Sequence, residues 1–176
     1  MKLHMVTPWS DDKDLGKAYN EVMQSVGGDD WVCFTDMDAM HTTYFAPLHM
    51  KRIIQQHKGY GLFTAVTNRV FNREQIPYPE YWAQNDMDFH RAIGEALLQK
   101  HGTDVIEAKQ AISGVVILTS KDAWLRSGGF KPGLLGVDND YDKAIRKAGI
   151  KVGIMRGIYV MHYYRNGNTN SKGHLK

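Results

Sequence analysis

Asp36 and Asp38 stand one residue apart in Thr35-Asp36-Met37-Asp38, directly behind the apolar run Trp31-Val32-Cys33-Phe34. A carboxylate does not rest unpaired against an apolar interior, because an isolated buried charge is very costly. A hard divalent cation removes that cost: Mg²⁺ or Mn²⁺ is typically held by one or two carboxylates with substrate phosphates and water. The alternative is a solvated turn in which Asp36 caps the segment that follows. A second acid-rich group lies much further along, at Asp138-Asn139-Asp140-Tyr141-Asp142, with Arg146 four residues past Asp142 on the same helix face. His162-Tyr163-Tyr164-Arg165 closes the series. There His162 offers an imidazole to a metal, or serves as a structural residue behind a strand.

Positioning these groups falls to alternating strands and helices. Met1–Trp9 opens as a short strand and runs into the acidic loop Ser10-Asp11-Asp12. From Asp14, apolar residues at Leu15, Ala18, Val22 and Val26 fall at helical spacing, ended by Gly27-Gly28. Trp31–Phe34 reads as a strand buried on both faces. Pro47–Lys58 reads as a helix with Pro in its first turn, Gly59 as its C-cap, and Lys51 and Arg52 on its solvated face. Tyr60–Val66 is a strand, and Phe71–Trp82 an irregular excursion whose Tyr78, Tyr81 and Trp82 either anchor a loop or stack on a ligand. Phe89, Ile93 and Leu97 mark a helix that Gly102 closes, with Asp86 and Asp88 in its first turn. Val115–Leu118 is a strand, Ser120 caps a short helix carrying Trp124, and Gly128-Gly129 breaks it. Asp138–Ala148 is helical, followed by strands at Lys151–Met155 and Ile158–Met161. Asn166–Lys176 is polar and reads as a tail or lid. The alternation predicts an α/β fold, one domain with a mostly parallel sheet flanked by helices. Ligands of such sheets gather outside the carboxyl ends of the strands, where Asp36 and Asp38 fall.

The chain's 176 residues suffice for one domain, and 43% apolar with 23% charged residues support a packed core and exclude wholesale disorder. Lys and Arg total 22 against 19 acids, and a net charge of +3 is too small and dispersed to imply nucleic acid. Cys33, the one cysteine, excludes an internal disulfide framework and a cysteine-rich zinc cluster and suits a reducing compartment. No apolar run approaches the roughly 18 residues of a membrane span, and no signal-peptide core opens the sequence. A soluble cytoplasmic protein is the expectation.

Four pieces occur in a telling order: Gly16-Lys17-Ala18-Tyr19-Asn20, then Phe34-Thr35-Asp36-Met37-Asp38, then Gly128-Gly129-Phe130 with Asn139-Asp140-Tyr141-Asp142, then His162 with Arg165. In these the sequence resembles the GT-A nucleotide-sugar glycosyltransferases, particularly the family 2-like group and the polypeptide N-acetylgalactosaminyltransferases. The resemblance runs from about Asp14 to Arg165. It implies a compact Rossmann-like GT-A domain over 1–165, with 166–176 as a flexible tail or lid. It also implies metal-dependent transfer of a sugar from a nucleoside diphosphate donor, in the family's usual case UDP, to a hydroxyl acceptor with inversion.

Carried over position by position, the resemblance makes Asp38 and His162 metal ligands and lets Asp36 hold the metal or the donor ribose. The imidazole suits Mn²⁺ better than Mg²⁺. Asp140 becomes the base that takes the acceptor proton, and Arg165 and Lys172 contact the diphosphate. Gly114, Trp124, Gly129 and Asn139 form the acceptor side, although Trp124 also reads as core packing. Asn139 stands where the family has Glu, so the base is assigned among Asp138, Asp140 and Asp142 by the register to Arg146, which favours Asp140 with Asp142 as partner of Arg146. A single helix separates the first strand from Asp36, where the family has further strand–helix units. Thr7, Pro8, Trp9 and Asp11 or Asp12 are left to hold the nucleotide base, Trp9 by stacking. Two other readings remain open: a nucleotidyltransferase, which would release pyrophosphate, and a non-catalytic module that binds nucleotide sugars or glycans.

Overall fold

The computed structural model describes residues 1–164. Its strands are Leu3–Val6 (β1), Trp31–Thr35 (β2), Ala39–His41 (β3), Tyr60–Thr67 (β4), Val105–Glu107 (β5), Val116–Ser120 (β6) and Lys151–His162 (β7). Its α-helices are Leu15–Ser25 (α1), Ala46–Gln56 (α2), Met87–His101 (α3), Lys121–Ser127 (α4) and Val137–Lys147 (α5). Every residue of β2 is buried: Val32 and Phe34 enter one apolar cluster, Trp31 and Cys33 another. That alternation places β2 inside a sheet covered on both faces. On one face lie Met23 of α1, Leu97 of α3, Ala123 of α4, and Tyr141 and Ile145 of α5. On the other, α2 contributes Ala46, Met50, Ile53 and Ile54.

The sheet runs in the order β1-β2-β6-β4-β7-β3, with β5 pairing β7 over Gly153–Met155. It is mixed, which corrects the expectation of a mostly parallel sheet. Only β1–β2 and β4–β7 are parallel, whereas β6 runs antiparallel to both β2 and β4, and β3 and β5 antiparallel to β7. The physical reason lies in the chain before β6. After β5, Ala108 donates its N–H to Val152 and Ser113 donates its own to Gln75, and the segment reaches the carboxyl edge of β2, where Val115 accepts from Asp36. β6 therefore enters from the edge at which its neighbours leave. The two strands expected at the end are one, β7, whose pairing with β4 shifts register between Ala65 and Val66.

Local chemistry explains the helix boundaries. Asp14 accepts the Lys17 N–H to cap α1, Asp86 accepts from Asp88 and Phe89 to cap α3, and Ser120 accepts from Ala123 to cap α4. Gly102 and Gly128 close α3 and α4 at positive φ. His57, not Gly59, ends α2.

The Gly16–Asn20 segment fastens α1 to the loop that leads into α5. A Cβ on Gly16 would lie 1.8 Å from the carbonyl oxygen of Lys131, and the Gly16 N–H donates to Gly133. Asn20 accepts from Trp124 Nε1 and from the Phe130 N–H, and donates to the Phe130 carbonyl. Phe130 is buried, stacked on Tyr141 at 3.8 Å between ring centres. No described helix is long and apolar enough to cross a membrane.

Candidate metal centre

Three segments meet at the carboxyl edge of β2. The Asp36 N–H donates to Val115 on the β6 side, the Ala39 N–H donates to Asp36, and the Tyr163 N–H donates to Asp38 at 2.9 Å. The short β3 then pairs with β7 so that Ala39 stands opposite His162. This register brings one ligand atom each from Asp36, Asp38 and His162 within 4.8 Å of one another. His162 is almost fully buried; its side chain is 7% exposed, and that of Asp38 43%.

The imidazole is oriented by its surroundings. Nδ1 donates to the carbonyl of Arg69 at 2.7 Å, and the His162 N–H donates to Asn68 Oδ1 at 2.8 Å. With Nδ1 turned to the Arg69 carbonyl, Nε2 faces Asp38 Oδ1 at 3.3 Å. Two acceptors at that distance need a proton or a cation between them. Adjacent ligands of an octahedral ion with bonds of about 2.1 Å lie roughly 3 Å apart, so the donor set fits a divalent cation. Arg69 itself is buried with neutral partners. Its guanidinium donates to the carbonyls of Trp82, Gln84 and Tyr163 and to the Asn85 side chain.

Burial pushes the Asp36 carboxyl up to about 6; Asp38 and Asp138 add to the rise and His162 opposes it. The folded chain thus holds the Asp36 proton more tightly than the unfolded chain does. Stability from this group is full below about 4 and is lost as pH rises to about 6. Metal ligation requires the ionised carboxylate, so a bound ion recovers what ionisation costs. The melting-temperature rise produced by Mn²⁺ is expected to be small at pH 5 and larger at pH 7.5, as read by thermal scans with and without the ion. An equal rise at both would refute it.

Asp138, in the first turn of α5, is the acid of that helix that acts on Asp36. Its Oδ2 accepts the Gly114 N–H at 2.8 Å, and a Cβ on Gly114 would lie 2.6 Å from that of Asp138. Asp140 lies elsewhere, about 200° further round the helix, with carboxylate oxygens 3.4 Å from Lys131 Nζ and 3.7 Å from Lys143 Nζ. Asn139 is exposed beside Asp138, with Nδ2 3.4 Å from Asp138 Oδ1. Asp142 is 1% exposed and held by two nitrogens of Arg146, as the spacing predicts.

Trp124, read as core packing or acceptor contact, and Gly129, placed on the acceptor side, both pack against Asn20 of α1. The indole N–H is taken by Asn20, and a Cβ on Gly129 would lie 2.9 Å from both Asn20 Oδ1 and Trp124 Nε1. Thr7, Pro8 and Trp9 leave β1 at the same edge as Asp36, because Val6 pairs with Phe34 in parallel. The Trp9 ring is exposed, its N–H donating to Asp11, and it lines an open cavity of about 260 Å³ with Asp11, Asp12, Asp14, Lys17 and Glu21. Trp82 keeps its backbone anchored by Arg69, while its ring lies 6.2 Å from Tyr164, itself 5.3 Å from His162. Arg165, Lys172 and the expected tail lie outside the described residues.

Sequence reasoning set Asp138 behind Asp140 as base, read Arg69 as a phosphate contact rather than as the residue that orients His162, and missed Asn68. A signal for Asp138 existed: it lies four residues before Asp142, on the stripe that Arg146 continues. Compared with known proteins, the chain matches no family model and shows no significant match to a curated protein.

Proposed function

We propose that this chain is a metal-dependent glycosyltransferase of the GT-A type, moving a sugar from a nucleoside diphosphate, UDP by preference, to a hydroxyl acceptor with inversion. The observation that carries the reading is the meeting of Asp36, Asp38 and His162 from distant segments at one sheet edge, with Asp138 beside them. Asp36, Asp38 and His162 would hold Mn²⁺ or Mg²⁺, which when bound supplies electrostatic stabilisation of the departing diphosphate.

Asp138 takes the role first expected of Asp140. Its carboxylate accepts the proton of the acceptor hydroxyl as that oxygen attacks the anomeric carbon. The sugar–phosphate bond breaks, and its electron pair leaves with the nucleoside diphosphate. The Gly114 N–H fixes one carboxylate oxygen, so the other is presented to the acceptor. Asn139, exposed next to it, would contact that acceptor. Trp9 with Thr7 and Pro8 receives the nucleotide base. The carboxylates around the Trp9 cavity suit hydroxyl and amide donors and repel phosphate, so the diphosphate lies toward the metal ligands.

The test is incubation with Mn²⁺ and a panel of nucleoside diphosphate sugars. Release of free nucleoside diphosphate is expected; pyrophosphate would make the protein a nucleotidyltransferase, and metal-dependent binding without turnover would make it a binding module. Asp138→Asn should then lower kcat by about 10²–10⁴-fold, whereas Asp140→Asn should stay within a few-fold of the parent. The opposite pattern would return the base to Asp140.

A further inference from the structure

Between Asp38 and Glu74 the chain contains no Asp or Glu, yet it carries Lys51, Arg52, Lys58, Arg69 and Arg73. Outside that stretch, Lys17, Arg91, Arg126, Lys131, Lys143, Arg146 and Lys151 each face a carboxylate. Lys51 and Arg52 lie on the exposed side of α2, and neither has an ion-pair partner among the described residues. Leu48, Lys51, Arg52 and Gln55 fall at i, i+3, i+4 and i+7, one stripe of the helix, opposite the buried Met50 and Ile53.

At the start of that stripe stand two aromatic rings in solvent. Tyr44 is 69% exposed, Phe45 73% and Leu48 48%, and the two rings are 6.3 Å apart. Phe45 sits in the left-handed region, with φ 51° and ψ 34°, and makes no side-chain cap to the helix it precedes. A bulky side chain rarely adopts that conformation, and Gly or Asn would hold the same turn with less strain. The ring of Phe45 therefore serves neither the turn nor the core. Its remaining use is outward.

We propose that this surface docks on an anionic phospholipid layer. Tyr44, Phe45 and Leu48 enter the interfacial zone, and Lys51 and Arg52 engage lipid phosphates one turn further along. Aromatic and aliphatic tips beside uncompensated cations on one helix stripe are what an interfacial helix requires. A nucleic acid would ask for a longer track of cations than these two. The proposal goes beyond sugar transfer and stands whether or not that reading holds.

Co-sedimentation of the full chain with phosphatidylcholine vesicles, with and without phosphatidylserine, tests it. Sedimentation is expected only with phosphatidylserine and should be released by raised salt. K51E/R52E and Y44S/F45G should each lower the partition coefficient about tenfold, with unchanged circular dichroism; F45G also relieves the left-handed strain, so loss of binding there is not loss of fold. Absence of sedimentation with phosphatidylserine, partition of both variants equal to that of the parent, or capture by single-stranded RNA in place of vesicles would each overturn it.

Discussion

Asp38→Ala should abolish metal-dependent donor turnover, a loss of about a thousandfold or more, while the fold survives. Asp38 provides an oxygen 3.3 Å from His162 Nε2 and also places a like charge near Asp36. Removing it deletes a ligand and relieves part of the repulsion that makes Asp36 hard to ionise. The melting temperature without metal should therefore hold or rise, and the Mn²⁺-dependent increase should vanish. Met37, between the two acids and 75% exposed, supplies the control: Met37→Ala should change neither quantity. An Asp38→Ala protein that still turns over the donor at the parent rate would remove the metal from the chemistry.

Arg146→Ala should produce the largest loss of stability. Asp142 is 1% exposed, and Arg146 Nε lies 2.8 Å from its Oδ2. Leaving that carboxylate buried without its partner costs about 3–5 kcal/mol, which for a domain of this size lowers the melting temperature by about 10 °C. Arg146 also donates to the carbonyls of Ala108 and Gln110, in the segment that ends at Gly114 and so positions Asp138. Substituting both partners, as in R146M/D142L, should recover much of the melting temperature but not the turnover. Recovery of both would show that the segment holds its place without the two carbonyl bonds.

Elements with strong local signals were legible in the sequence. The apolar run of β2, the Ser120 cap and the Asp142–Arg146 pair all follow from side chains close together along the chain, whereas Asp86, expected in the first turn of α3, is its N-cap. Strand direction was not, because helix–strand alternation says nothing of the edge from which a strand is entered, and the route from β5 to β6 is set by contacts between distant residues. β3 was missed for a related reason. Three residues with an interior Met carry no periodicity, yet its pairing with β7 puts Asp38 beside His162. In α5 the register to Arg146 was read correctly for Asp142 but not extended one turn back to Asp138. Trp124 was read as core packing or acceptor contact without its partner, because nothing in the order of residues reveals that Asn20, over a hundred positions earlier, accepts the indole proton.

The manner in which Arg69 is employed bears on how such a chain can diverge. Its main-chain oxygen aims the imidazole while its side chain grips Trp82, Gln84 and Asn85. The stretch from Phe71 to Asn85 is thereby leashed to the residue that orients the His162 ring, so a change in its length would be transmitted to that ring.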